Sequence, residues 1–228
     1  MATKRNDGLE TRGRLLDAAG AIFAEKGFRD ATTAKICRLA KANIAAVNYH
    51  FGGKERLYVE TWRHAFERSL AAHPQDGGVP PTAPAEERLR GQIKALLLRI
   101  MDPANLEFAI GHREMTNPTG LLAEVMRRSI DPLSLALQGV VRELLGAQAT
   151  DLRVQLCETS IHAQCFSPLT LDRHWRRRTH AKAFGPPPPA VDADVLAEHV
   201  FRFSLAGIRE VRQVPANRKN QRNIGAQP

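Results

Sequence analysis

Between Gly27 and the Gly52-Gly53 pair the chain has room for only two short helices, and no other feature constrains the fold as much. Thr32 or Thr33 can cap the first, which carries the apolar residues Ile36, Cys37 and Leu39. Asn43 can cap the second, over residues 44–50. Helices of one or two turns have little stability of their own. They persist only against longer neighbours, and the flanking sequence supplies these. Upstream, Thr11 precedes Leu15, Ala19, Ile22 and Phe23, which share one face of an amphipathic helix. Gly27 stops that helix, and Phe28 can fold back on its last turn. Downstream, a helix from Lys54 to His73 places Leu57, Tyr58, Trp62, Ala65 and Phe66 on one side.

The remainder reads as helical too. The turn-rich stretch Pro74 to Pro84 is the clearest internal boundary. Beyond it, helical patterns cover 85–101, with Leu89, Ile93, Leu96, Leu97 and Ile100 on one face, and then 104–116. A longer pattern over 120–145 contains Asp131-Pro132, where a bend is expected. The next covers 150–166 and ends at Ser167-Pro168. Gly185 and the four prolines after it read as a stiff connector. Asp192 or Asp194 can cap a last helix reaching Arg212. No segment alternates as a strand would. The predicted class is all-α, with a small N-terminal helical unit and a larger C-terminal one.

Charge narrows the function. The 228 residues hold 33 Lys and Arg against 24 Asp and Glu, a net charge of +9. That balance suits a polyanion, either nucleic acid or an anionic surface. No uncharged apolar run is long enough to span a membrane, and the N-terminus has basic residues with no apolar stretch behind them. Cys37, Cys157 and Cys165 form no CxxC pair, so reduced cysteines in a cytoplasmic protein are expected, with neither a disulfide framework nor a zinc site. The histidines show no metal-type spacing, and no metal or cofactor is expected.

The second short helix separates two faces. Val47 and Phe51 lie four apart and can pack inward, which leaves Ala45, Asn48 and Tyr49 on the opposite side. A major groove about 12 Å wide admits a helix whose leading residues are slim. Ala45 and Ala46 are slim, and their methyls can meet a thymine methyl. Asn48 carries the amide that pairs with adenine through two hydrogen bonds. Tyr49 and His50 can donate to phosphates. Thr32, Thr33, Lys35, Lys41 and Asn43 flank the helix, and Lys54 stands at the start of the next one. Phosphate contacts set the register and base contacts set the sequence, so Asn48 and the alanines are the expected readers.

The stretch from Thr11 to Phe66 resembles the TetR family of bacterial repressors. The match runs through Phe23-Ala24-Glu25-Lys26-Gly27-Phe28, Thr32-Thr33-Ala34-Lys35-Ile36 and Val47-Asn48-Tyr49-His50-Phe51-Gly52-Gly53-Lys54. The C-terminal part is similar to the YbiH/CecR type through Phe108, Arg113-Glu114, Pro118-Thr119, Asp131-Pro132, Ser160-Ile161 and Gln164-Cys165. The resemblance implies a three-helix helix-turn-helix domain over 11–73 and an effector-binding and dimerisation domain over 85–212. Composition sets the ends: the polar residues 1–10 read as a flexible arm and the polar 213–228 as a disordered tail. The expected partners are palindromic operator DNA, a second copy of the chain and a small-molecule effector, with no membrane. Two positions depart from the family pattern: Lys41 and Ala163 stand where glycine is usual. If Lys41 is left-handed, it costs about 1 kcal/mol.

Other sites allow two readings. Phe108, His112, Arg113 and His162 can line the effector pocket. Equally, Arg113 and Glu114 can form a structural ion pair, and His162 can be a satisfied core histidine. The run Arg173 to Arg178 reads as a solvated face before it reads as a second nucleic-acid patch. Ala163, Ala197, Ala206 and Gly207 are small enough for close helix contact in a dimer. The competing classes are an architectural DNA binder without effector and an enzyme with a DNA-binding head. For the enzyme there is no G-x-S-x-G, P-loop or H-E-x-x-H motif.

Overall fold

The computed structural model describes residues 2–176 and 191–214, and the side chains of 8–167 and 191–214. The regular secondary structure of the described residues is entirely helical, with no strand among them. They divide between two compact units, one of Met1–Pro74 with Arg99–Pro132, the other of Gln75–Leu98 with Leu133–Pro228.

The first unit starts with α1 (Ala2–Asp30). This helix extends back through 2–10, where a flexible arm was expected. Its buried stripe is Leu15, Leu16, Ala18, Ala19 and Phe23. Gly27 breaks the helical geometry at φ 75°, a left-handed value that glycine adopts without strain. After the break Phe28 turns back, its ring centroid 6.4 Å from that of Phe23 and 5.1 Å from that of Tyr58. Two short helices follow, α2 (Thr33–Leu39) and α3 (Ile44–Phe51), and then α4 (Lys54–Ala72). Leu57, Tyr58, Thr61, Trp62, Phe66 and Ser69 form the buried side of α4. Leu39 does not join the core as its place in the apolar pattern suggests; it is 56% exposed.

Residues 99–132 belong to this same unit, although the boundary at 74–84 places them with the C-terminal domain. They include α6 (Glu107–Thr116), which packs on α1 and α4. Arg99 and Glu107 are both buried and paired at 2.7 Å, and Ser69 Oγ accepts from Arg99 Nε at 2.9 Å. Burial pushes the Glu107 carboxyl up, and Arg99 opposes the shift.

The second unit is built from α5 (Ala85–Met101) up to Leu98, α7 (Ala123–Leu145) from Leu133 onward, α8 (Asp151–Arg176) and α9 (Ala193–Gln213). Its core holds Leu89, Ile93, Leu97, Leu137, Val141, Ile161, Cys165, Val200, Phe201 and Ile208. The turn at 76–79 lies so close on α5 that a Cβ at Gly91 would sit 2.5 Å from the Asp76 carbonyl. Of the two candidate caps it is Asp192 that caps α9, by accepting from the Asp194 amide at 2.9 Å. One expected stop, at Ser167-Pro168, is absent, and α8 runs through Pro168 to Arg176. Pro132 lies inside a continuous α7, as its pattern suggests. The proline connector at 185–189 and the tail from 215 lie outside the described residues, as do Arg177 and Arg178.

Candidate nucleic-acid interface

Thr32 caps α2, its hydroxyl accepting from the Lys35 amide at 3.3 Å. The helix ends in a Schellman turn: the Ala42 amide donates to the Cys37 carbonyl at 2.9 Å and the Lys41 amide to the Arg38 carbonyl at 3.3 Å. That turn requires a left-handed residue, and Lys41 supplies it at φ 51°. Among the described residues no other non-glycine has positive φ. From α1, Arg14 donates to the Ala40 carbonyl at 3.3 Å and secures the turn. Asn43 then caps α3, its Oδ1 accepting from the Ala45 amide at 2.9 Å. At the far end the Gly52 amide donates to the Asn48 carbonyl, and Gly52 (φ 73°) and Gly53 (φ 150°) reverse the chain into α4.

The turn fixes which way α3 faces. Val47 and Phe51 are buried, and the Arg12 guanidinium lies 5.4 Å from the Phe51 ring centroid while pairing with Glu60 at 3.1 Å. Ile44, Ala45, Asn48 and Tyr49 point the other way into solvent, with Tyr49 84% exposed. Ala46 and His50 are half-buried, and the His50 ring stands edge-on to Tyr49. Thr32, Lys35, Lys41 and Asn43 are exposed nearby, and Thr33 is half-buried. Lys35, Arg38 and Lys41 make no ion pair among the described residues. Their charge is therefore uncompensated beside α3.

Lys54 differs from these lysines. Its ammonium sits 4.4 Å from the Phe28 ring centroid and donates to the Arg29 carbonyl at 3.5 Å. Partial burial lowers its pKa, and Asp30 opposes the shift. It fastens the start of α4 to the end of α1.

The four residues expected around an effector are not gathered in one unit: Phe108, His112 and Arg113 are in the first and His162 in the second. Arg113 does not pair with Glu114. It donates to the Ala24 carbonyl at 3.3 Å and to the Glu25 carbonyl, satisfying α1 just ahead of the Gly27 break. Glu114 instead accepts from Tyr58 Oη at 3.2 Å and from the Thr119 and Gly120 amides, both at 2.9 Å. Phe108 is half-buried with the Arg99 guanidinium 5.6 Å from its ring centroid, and the His112 carbonyl accepts from Thr116. His162 is half-buried beside Phe166, and burial lowers its pKa. A cavity of about 250 Å³ in the first unit is lined by Leu16, Gly20, Thr61, Ser69, Asn105 and Leu106 among others, and by none of those four.

Sequence reasoning overlooked Arg12 and Arg14, which orient α3 from α1. It also overlooked Ile44 and Arg38. The basic residues at 12 and 14, at the head of an apolar stripe, were the available signal for the first pair.

Residues 15–61 match the family model for bacterial regulatory proteins of the tetR family. Residues 85–208 match the C-terminal domain of the HTH-type transcriptional dual regulator CecR. The chain is 36% identical over 166 residues to CecR of Shigella flexneri, covering 65% of this chain and 71% of that one. It is also 36% identical over 56 residues to the HTH-type transcriptional repressor NicS of Pseudomonas putida, a match to 25% of this chain and 26% of that one. A TetR-like regulator from Rhodococcus sp. RHA1 shares the fold, with TM-score 0.61 at 16% identity, covering 87% of this chain and 95% of that one. A helix-turn-helix of this geometry, joined to a CecR-type partner sequence, places the chain in the TetR family of transcriptional regulators.

Proposed function

We propose that the protein is an effector-controlled repressor that grips a palindromic operator as a homodimer. The observation that carries this reading is the outward face of α3. Ala45, Asn48 and Tyr49 are exposed there, Val47 and Phe51 anchor the opposite side, and the unpaired cations Lys35, Arg38 and Lys41 stand alongside. Asn48 reads adenine, while Thr32, Thr33, Lys35, Lys41, Tyr49 and His50 hold phosphates. Lys54 acts here mainly as a positioning residue. The description of one relative as a repressor supports repression as the basic act.

Dimerisation uses α8 and α9, in the segment 85–212 that also takes the effector. Leu152, Leu156 and Ala163 are exposed on α8, and Val195, Phe203, Ala206 and Gly207 on α9. Such a double apolar face suits a second copy of itself. Ala197 is buried within the protomer and takes no part. Two α3 helices then enter major grooves one turn apart, about 34–36 Å. An effector favouring another spacing by about 1–3 kcal/mol would be sufficient to release the operator.

The test is selection of duplexes from a random pool by the full-length protein. A palindrome is expected. Asn48→Ala should then cost about 1–3 kcal/mol on the selected site and little on random DNA. Equal losses on both would remove Asn48 as a reader, and indifference to duplexes at low salt would end the proposal. A ligand that raises Tm and weakens operator binding separates the repressor from an effector-free architectural protein.

A further inference from the structure

The outward face of α3 carries no formal charge. From Ile44 to Phe51 there is no Lys, Arg, Asp or Glu. The first residue of the helix, Ile44, is 54% exposed, although it is the bulkiest aliphatic side chain in that helix. Ile44 stacks one turn before Asn48, and Ala45 one turn before Tyr49, so the four make a continuous strip two residues wide. An isolated exposed aliphatic residue is ordinary. This one is placed at the leading end of α3, next to the cap Asn43, on a helix packed against α2 with its unpaired cations Lys35 and Arg38.

Chemistry then restricts what the strip can recognise. The commonest contact to guanine uses an Arg or Lys fork, and α3 has neither. An aliphatic surface in the major groove meets one base-specific feature, the 5-methyl group of thymine. The half-buried Ala46 leaves Ile44 and Ala45 as the apolar contacts.

We infer that Ile44, with Ala45, determines operator specificity by packing on thymine methyl groups, so that the half-site under α3 is an A·T-rich step read by methyl contact and the Asn48 amide. This rests on the DNA-binding reading above and names the base chemistry of that same surface.

The experiment uses the full-length protein and its selected duplex, with thymines replaced one at a time by uracil. That change deletes the methyl and keeps the pairing. At one or two positions in each half-site uracil should weaken binding about fourfold, the scale of one buried methyl group. Placing 5-methylcytosine instead of cytosine at such a position should recover part of the affinity lost on replacing thymine by cytosine. In Ile44→Ala, with an unchanged circular dichroism spectrum, the uracil penalty should vanish at the position that Ile44 packs on and remain only where Ala45 makes the contact. The inference is overturned if every uracil duplex binds within about 1.5-fold of its parent, a change too small for a lost methyl contact. It is also overturned if the uracil penalty persists undiminished in Ile44→Ala. Binding that ignores methyl groups leaves the repressor reading in place, whereas absence of any duplex binding removes both.

Discussion

The hydroxyl of Tyr58 donates to Glu114 Oε2 at 3.2 Å, joining the second turn of α4 to the end of α6 inside the first unit. Burial, with the adjacent carboxylate, raises the Tyr58 pKa and keeps the phenol a donor. Glu114 also receives Thr119 and Gly120, so Tyr58→Phe removes only one of its partners. That variant should lose about 1 kcal/mol in urea unfolding. Glu114→Ala strands the buried Tyr58 hydroxyl together with the part-buried Thr119 and Gly120 amides and should lose about 2–4 kcal/mol. Equal and negligible effects would show that this contact does not hold the unit together.

Lys41 holds a left-handed conformation that the Schellman turn requires, with φ 51°. Lys41→Gly should therefore raise stability by up to about 1 kcal/mol, seen as a higher Tm. The same change removes an exposed charge beside α3, and the slope of log K against log salt should flatten by about one unit. Lower stability in the glycine variant would mean that the lysine side chain makes a contact worth more than the strain.

Phe203 is 64% exposed on α9 beside Ala206 and Gly207. Phe203→Glu puts a charge into the proposed dimer face. Light scattering at micromolar concentration should report a dimer for the parent chain and a shift toward monomer for the variant. An unchanged dimer would move the interface away from α9.

His162 is half-buried and its pKa is lowered by desolvation, with Glu158 pulling the other way. The folded state thus favours neutral imidazole. The sign follows from linkage: this contribution is complete above the ordinary value of 6.5 and is lost as pH falls through the lowered folded value. Stability should drop on acidification across that window, and His162→Phe should show a shallower drop in the same Tm series. Identical pH profiles for the two proteins would assign the acid sensitivity elsewhere.

Local chemistry accounts for what was legible in advance. The caps were readable to within a residue or two, as Thr32 or Thr33, Asn43, and Asp192 or Asp194, and the structure uses Thr32, Asn43 and Asp192, each satisfying amides two or three residues ahead. The Gly27 break and the inward face of Val47 and Phe51 follow from backbone freedom and helical spacing over a few residues. The strain at Lys41 was suggested by the resemblance, since the family has glycine there, and the structure bears it out in a turn closed by neighbours within five residues.

Long-range partners could not be read this way. Arg113 reaches the carbonyls of Ala24 and Glu25, 89 and 88 residues away in sequence, and nothing in its own neighbourhood names them. Its adjacency to Glu114 suggested an ion pair, but their side chains leave the helix in different directions. The prolines at 132 and 168 are helix breakers by local propensity, and both are carried inside helices. In the sequence, then, resided the helices, their caps and the orientation of α3. Tertiary packing decided that 99–132 folds with the helix-turn-helix and that Lys54 is fastened to α1, because those outcomes depend on which distant surfaces meet.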